Sequence, residues 1–342
     1  MKLAGPARRV FLAVLTVAVA IVVGLGLVEG LTRLFFPAFD PSGRFDLGHP
    51  VGSLTLGTPG TSARQVKNTG DYDVAVRINR HGLRDDKDIA GATSGDLVFV
   101  GDSFTWGWGV EAMERFSDRV QALTGRRVFN LATPTDIAGY GALLDYAQSL
   151  GARIGEVVVA LCMENDLSLY DSVDGPPDDP TMNSTGWDWK GWLTARSAAY
   201  VLLTTMIQQT PALKALAVGA GAIVPNFDGM GLNTYDARMI DASADRLQAL
   251  SKRYPTLVVL IPSRALWIGN NRAEEDRVHT ALVAALASRG IAVLDLRPLM
   301  EAGGTPLGYH FANDGHWNAR GHALAAEAIA KCLTKGVESC RL

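Results

Sequence analysis

Cysteine and histidine are both scarce in this chain, three and six in 342 residues. The cysteines and histidines show none of the close spacings that hold zinc. His49, His81, His279, His310, His316 and His322 are too scattered to argue for another metal, so neither a metal nor a cofactor is expected. Cys332 and Cys340 are near enough in sequence to pair in an oxidising space, whereas Cys162 stands inside an apolar run and reads as a buried thiol. Long basic blocks are missing as well, and net charge is only -3. A phosphate-tracking surface is thereby excluded, and no nucleic acid is expected as a partner.

What is present is the balance of an ordinary folded protein, 48% hydrophobic and 20% charged. One run stands apart: residues 10–28 contain no charge and a single hydroxyl, Thr16. That length suits a helix crossing the hydrocarbon core, which takes about 20 residues. Lys2, Arg8 and Arg9 precede it and Glu29 follows, so the positive-inside bias keeps the N-terminus cytoplasmic and exports the remainder. The expectation is a single-pass anchor over residues 1–36 that contacts inner-membrane lipid and leaves the rest of the chain periplasmic. A cleaved signal has the same basic start, but no small-x-small site follows before the bulky run at 31–36.

Residues 37–94 are rich in Gly, Pro, Asp and Arg and read as a lead-in of loops and short strands. Within it, 71–78 alternates like a half-buried strand. The charged segment 79–86 has two readings, a solvated loop or a neighbour of the active site. From residue 95 to about 336, apolar runs at 97–100, 128–131, 157–161, 257–261 and 291–294 read as buried strands. Helical spacing connects them: Phe116, Val120 and Leu123 precede Gly125, and Val278, Leu282 and Leu286 precede Gly290. The expected fold is α/β, a three-layer α/β/α arrangement around a mostly parallel sheet. An insertion around 171–233 breaks the rhythm with a turn-rich stretch at 174–180, three tryptophans (Trp187, Trp189, Trp192) and an apolar helix near 198–207. Pro211 suits the first turn of a further helix.

Ligand and catalytic sites in such folds lie at the carboxyl ends of the strands. Gly101-Asp102-Ser103 ends the first strand there, and Asn165 ends the third. Near the far end, Asp314-Gly315-His316 supplies a base and an acid. A serine becomes a nucleophile when a base takes its proton, and acyl transfer further needs donors where negative charge develops. Ser103 would attack, His316 would take the proton, and Asp314 would orient the ring. The Ser103 N–H, the Asn165 amide and the Gly139 N–H, in the glycine-containing stretch after the second strand, would form the oxyanion hole. His322 reads as structural, and Trp106 and Trp108 as packing.

These blocks, in this order, resemble the SGNH or GDSL-like hydrolase superfamily, particularly its membrane-anchored bacterial members. Asn130 with the glycines after it is the second block, Glu164-Asn165-Asp166 the third, and Asp314-Gly315-His316 with Asn318, Gly321 and His322 the fourth. The resemblance implies a serine esterase or O-acyltransferase without cofactor, acting on acylated envelope glycans or other small esters. A non-catalytic glycan-binding or assembly protein on the same fold is the alternative. Two positions depart from the family pattern. Thr135 stands where its second-block glycine is usual, and Asn313 stands three residues before the histidine, where its acid is usual.

Overall fold

The computed structural model describes residues 5–45, 47–170, 189–223, 236–335 and 340. The stretch at 174–180 and Trp187 lie outside them. The described residues belong to two compact units, one drawn from 1–44, 68–70 and 186–223 and the other from 45–67, 71–185 and 224–342. In chain order the strands are β1 (Leu47–Val51), β2 (Leu54–Gly57), β3 (Ser62–Val66), β4 (Asp73–Arg77), β5 (Leu97–Gly101), β6 (Val128–Asn130), β7 (Glu156–Cys162), β8 (Thr256–Ile261) and β9 (Ala292–Asp295). The α-helices are α1 (Gly5–Phe35), α2 (Ser103–Trp106), α3 (Phe116–Thr124), α4 (Ile137–Ser149), α5 (Trp189–Arg196), α6 (Ala198–Gln209), α7 (Pro211–Gly219), α8 (Ala237–Arg253), α9 (Arg272–Ser288), α10 (Arg297–Ala302) and α11 (Ala319–Lys335).

The larger unit is built on a five-stranded parallel sheet in the order β6-β5-β7-β8-β9. Its strands are the five apolar runs of the sequence, shifted at their ends by a residue or so. Apolar runs of this kind carry no alternation because both faces are covered. Val98, Val100, Val157, Val159 and Val258 pack on one face with Leu143 and Leu144 of α4, Leu247 of α8 and Leu282 of α9. Leu97, Phe99, Val158, Ala160 and Val259 pack on the other with Phe116 and Val120 of α3 and Ile329 of α11. This is the expected α/β/α sandwich. Two antiparallel hairpins, β1-β2 and β3-β4, precede the sheet. β4 alternates exposed and buried residues along its length, as the pattern at 71–78 predicts. Cys332 and Cys340 form a disulfide with a Cα–Cα separation of 5.5 Å, which ties the chain after α11 back to that helix. Cys162 is a buried free thiol.

The smaller unit contains α1, α5, α6 and α7. The stretch Arg8–Phe35 of α1 is long and apolar enough to cross a membrane, and none of its apolar window is buried. Pro211 occupies the first turn of α7, so the apolar stretch after α6 is a new helix.

Candidate active site

Two adjacent strand ends set the position of the site. β5 and β7 pair in parallel from Leu97↔Glu156 to Gly101↔Ala160, so the residues after Gly101 and after Cys162 emerge side by side. At Gly101 the chain turns so tightly into α2 that a Cβ would collide with the Thr105 side chain and come within 2.9 Å of the Ala160 carbonyl. Asp102 caps α2 by accepting from Phe104 N at 2.9 Å. Ser103 is the first helical residue, and its N–H therefore has no carbonyl one turn back within the helix. Gly107, at φ +87°, ends α2 after a single turn.

Ser103 Oγ lies 2.8 Å from His316 Nε2, and His316 Nδ1 lies 2.5 Å from Asp314 Oδ1. With Nδ1 protonated toward the carboxylate, Nε2 is left as the acceptor for the serine proton. Asp314 Oδ1 also accepts from the His316 N–H at 3.0 Å, which fixes the turn that carries the ring. The same loop is pinned by Asn318, whose amide donates to the Gly308 and His310 carbonyls at 3.1 and 2.8 Å. Its side-chain oxygen accepts from the N–H groups of Arg320 and Gly321 in the first turn of α11. Trp108 stacks on the His316 ring at 5.5 Å and Phe104 lies 5.1 Å from it, so the imidazole is held by packing as well as by its acid.

Asp314 has two further partners that sequence reasoning missed. Lys67 Nζ donates to Oδ2 at 2.7 Å and the Tyr72 hydroxyl donates to the same oxygen at 3.2 Å. Trp108 Nε1 donates in turn to the Tyr72 hydroxyl at 2.8 Å. Burial would raise the pKa of Asp314, but the His316 hydrogen bond and charge and then Lys67 outweigh it and hold the carboxyl well below the usual range. Burial and the neighbouring Asp314 push the Tyr72 hydroxyl far up, so it stays a neutral donor. The only sequence trace of this group is the half-buried pattern that contains Tyr72; Lys67 gives no signal. Asn313, at the family's usual acid position, bonds instead to Asp71 through its N–H at 3.1 Å.

Asn165 is exposed in the turn after β7. Asp166 builds that turn: buried completely, it accepts from Cys162 N and from the Tyr140 hydroxyl, both at 2.6 Å. The Asn165 side chain lies near enough to Asp102, next to the serine, to lower its pKa. Burial raises Asp102 to about 6, against the opposing influence of Phe104 N, His316, Asn165 and Cys162. Asp166 is pushed well above the ordinary carboxylate range by burial and by Asp102. Glu164 accepts from Arg264 N, Nε and Nη2 at 2.7, 2.9 and 2.8 Å, joining the loops after β7 and β8.

Gly139 is not placed as the sequence reading required. It stands in the first turn of α4, where its N–H already donates to the capping carboxylate Asp136 Oδ1 at 3.0 Å. A Cβ at Gly139 would overlap the Thr135 side chain, so close helix packing accounts for the glycine. Asn130 is a brace: its amide donates to Thr105 O at 2.7 Å and to Ser117 Oγ at 2.8 Å. His322 is fully buried, accepts from Phe116 N at 3.3 Å, and is driven down to about 3 by burial and the nearby arginines, as a structural histidine would be. Among the described residues no group of three or more His, Cys, Asp or Glu side chains could hold a metal ion.

A serine, an imidazole and a carboxylate in hydrogen-bonded series at the carboxyl edge of a parallel sheet have the construction of a serine hydrolase. Residues 99–324 match the GDSL-like Lipase/Acylhydrolase family, and the chain belongs to it. Hydrolysis of esters, in general, is the reaction class of that family. A comparison with curated protein sequences found no match. Among solved structures, the chain is similar to a member of the lipolytic G-D-S-L family from Veillonella parvula, with 14% identity over 70% of this chain and 99% of that one, TM-score 0.42. It is also similar to the lipase/acylhydrolase from Enterococcus faecalis, with 11% identity over 70% and 96%, TM-score 0.40. A third is a catalytic mutant of an acetylxylan esterase from Geobacillus stearothermophilus, with 13% identity over 70% and 94%, TM-score 0.36.

Proposed function

We propose that the protein is a membrane-anchored serine esterase or O-acyltransferase that works through an acyl-enzyme on Ser103. The observation that carries this reading is the series Ser103 Oγ, His316, Asp314, with contacts of 2.8 and 2.5 Å. Ser103 Oγ attacks the ester carbonyl carbon while His316 Nε2 takes its proton. The negative charge that forms on the carbonyl oxygen faces the Ser103 N–H and the Asn165 amide. Collapse expels the alcohol, which leaves with the proton from His316. An acceptor hydroxyl then gives its proton to His316 and attacks the acyl-enzyme carbonyl, and Ser103 recovers its proton as the new product leaves. Water as acceptor gives hydrolysis; a sugar hydroxyl gives O-acyl transfer.

Lys2, Arg8 and Arg9 and the apolar run that follows them in α1 support an extracytoplasmic, periplasmic position for the larger unit. Acylated envelope glycans are the substrates that such an address favours, with other small esters second. The test is turnover of p-nitrophenyl acetate and of an O-acetylated oligosaccharide by the full-length protein in detergent, beside Ser103→Ala. The expected result is ester cleavage and fluorophosphonate labelling by the unsubstituted protein alone. Equal rates for the two proteins would remove Ser103 as the nucleophile. Glycan binding that survives Ser103→Ala in a protein that never labels would favour the non-catalytic reading. Mass spectrometry of the sugar products separates free acetate from a transferred acyl group.

A further inference from the structure

We propose that α5, α6 and α7 lie along the surface of the bilayer that α1 crosses, with Trp189, Trp192, Leu203, Met206, Leu213 and Leu216 facing lipid. The proposal rests on the reading of α1 as a membrane span. Between Arg9 and Glu29 an α-helix rises about 30 Å, the thickness of the hydrocarbon core. Glu29 therefore marks the depth at which α1 leaves the apolar layer.

At that depth α6 is bolted on. The Glu29 carboxylate accepts from Ala198 N at 2.9 Å, Ala199 N at 3.1 Å and Ser197 Oγ at 2.8 Å, the first polar groups of α6. A carboxylate at a helix N-terminus satisfies donors that the helix itself leaves open. Arg33, one turn further along α1, bonds Glu29 at 2.7 Å and donates to the Arg196 carbonyl at 2.7 Å. The junction of α5 and α6 is thus held at the membrane boundary by four hydrogen bonds, three to Glu29 at the start of α6 and one from Arg33 at the end of α5.

The outward faces of these helices are apolar where a water-exposed surface would be polar. In α6, Ala198, Val201 and Thr205 are buried, while Leu203 and Met206, on another side of the helix, are 54% and 53% exposed. Leu213 and Leu216 on α7 and Trp189 and Trp192 on α5 are exposed as well, and neither helix has a buried residue. From 189 to 223 the sequence has three basic residues, Lys190, Arg196 and Lys214, and no acidic one, although the whole chain carries -3. Tryptophan and leucine combined with lysine and arginine are the composition of helices that lie in an anionic lipid interface. Neither α6 nor α7 can span, since 12 and 9 residues reach about 18 and 14 Å and Pro211 separates them. The apolar outer surface is joined by hydrogen bonds to α1, which among the described residues is the one helix long and apolar enough to span a membrane, so lipid is the occupant.

The experiment uses the full-length protein in nanodiscs of phosphatidylglycerol and phosphatidylethanolamine, with single cysteines carrying a polarity-sensitive fluorophore. Positions are Met206→Cys and Leu216→Cys for the surface, Val19→Cys for the span and Met113→Cys, 80% exposed on the larger unit, for water. Cys162 is buried and the other two cysteines are paired, so the label goes to the introduced thiol. Brominated lipids should quench the labels at 206 and 216 at least twofold, quench the label at 19 as strongly, and leave 113 unchanged. Quenching at 19 without quenching at 206 and 216 overturns the proposal and leaves the anchor standing. A blue-shifted but unquenched label at 216 also overturns it and points to a second copy as the cover. No quenching at 19 or at the surface positions removes the anchor reading and the proposal together. Lys190→Glu with Lys214→Glu, at surface positions, should reduce the quenching at 216 and leave that at 19 unchanged; unchanged quenching at both would overturn the electrostatic part.

Discussion

Lys67 Nζ lies 2.7 Å from Asp314 Oδ2, on the carboxylate oxygen opposite the one bonded to His316. The acid is thus divided between a base it orients and a cation that keeps it ionised. Asp314→Asn removes the acceptor that fixes the Nδ1 proton of His316, which deprives Nε2 of its role toward Ser103. Its kcat on p-nitrophenyl acetate should fall about 10⁴-fold, the size of effect that a wrong imidazole tautomer produces in comparable triads. Asn313→Ala should stay within a few-fold of the parent, because Asn313 bonds Asp71 rather than the imidazole. A loss at Asn313 as large as that at Asp314 would reassign the acid.

The acid side of the stability curve reads the hold on Asp314 of His316 first and of Lys67 after it. The folded pKa of Asp314 is held below its unfolded value of about 3.9. Ionised Asp314 therefore stabilises the fold above about pH 4, and that contribution is lost as pH falls toward the depressed folded value. Lys67→Met should lower Tm at pH 6 and shrink the drop in Tm between pH 6 and pH 3, measured by circular dichroism. A parent-like drop would show that the ammonium has no hold on Asp314.

Asn165 and Gly139 separate by which quantity each substitution moves. Asn165→Ala removes the exposed amide assigned above to the proposed oxyanion hole, and kcat should fall about 10²- to 10³-fold with KM and Tm little changed. Gly139→Ala instead forces a methyl into Thr135, so Tm should fall while kcat of the folded fraction holds. Selective loss of kcat in Gly139→Ala, with Tm intact, would return that residue to the oxyanion hole.

Two buried acids near the nucleophile give the opposite pH sign. Burial raises Asp102 to about 6 and, together with Asp102, raises Asp166 well above its ordinary value. Groups with raised folded values support the fold fully below their unfolded pKa, about 3.9, and withdraw that support as pH rises through the folded values. Tm should therefore decline from pH 5 toward pH 7 through this pair. Asp166→Asn keeps an acceptor for Tyr140 and Cys162 N and removes one of the two charges, so the decline should flatten and Tm at pH 7 should rise. A steeper decline in Asp166→Asn would contradict the raised values.

The sheet was legible because runs such as 97–100 and 157–161 are apolar throughout, and only strands covered on both faces read that way. The meeting of Ser103, His316 and Asp314 was legible for a related reason: strand ends and the loop before a last helix are where such side chains are displayed. Lys67 was not, because a contact between residues 247 positions apart leaves no period or spacing in the sequence. Gly139 was misplaced because its run of small residues looks like a loop, whereas Asp136 caps it into a helix. The segment 79–86 was left between a solvated loop and a neighbour of the site, since charged residues look exposed until their partners are known.

In that segment Arg84 is only 2% exposed, and its partners are all backbone carbonyls. Nη1 donates to Gly107 O at 2.5 Å and Trp106 O at 3.3 Å, and Nη2 donates to Val110 O at 2.7 Å and Ala75 O at 3.1 Å. The guanidinium also lies 4.5 Å from the centre of the Trp106 ring. It thereby closes the turn that follows α2 and carries Trp108 onto His316. Burial and the charge of Arg115 lower Arg84 to about 9, a penalty that four carbonyl acceptors offset. Arg84→Met removes a donor from each of those carbonyls, although Gly107 O keeps Val110 N and Trp106 O keeps Arg115 Nη1, and should destabilise the protein by about 3 kcal/mol or more. Arg84→Lys should recover only part of this, because a compact ammonium cannot reproduce the planar fork that reaches across the turn. Urea unfolding measures the first effect, and kcat of the folded protein the second, since a loosened Trp108 no longer holds the imidazole against Ser103. Full recovery by lysine in both measurements would mean that charge alone, and not the fork, holds the turn.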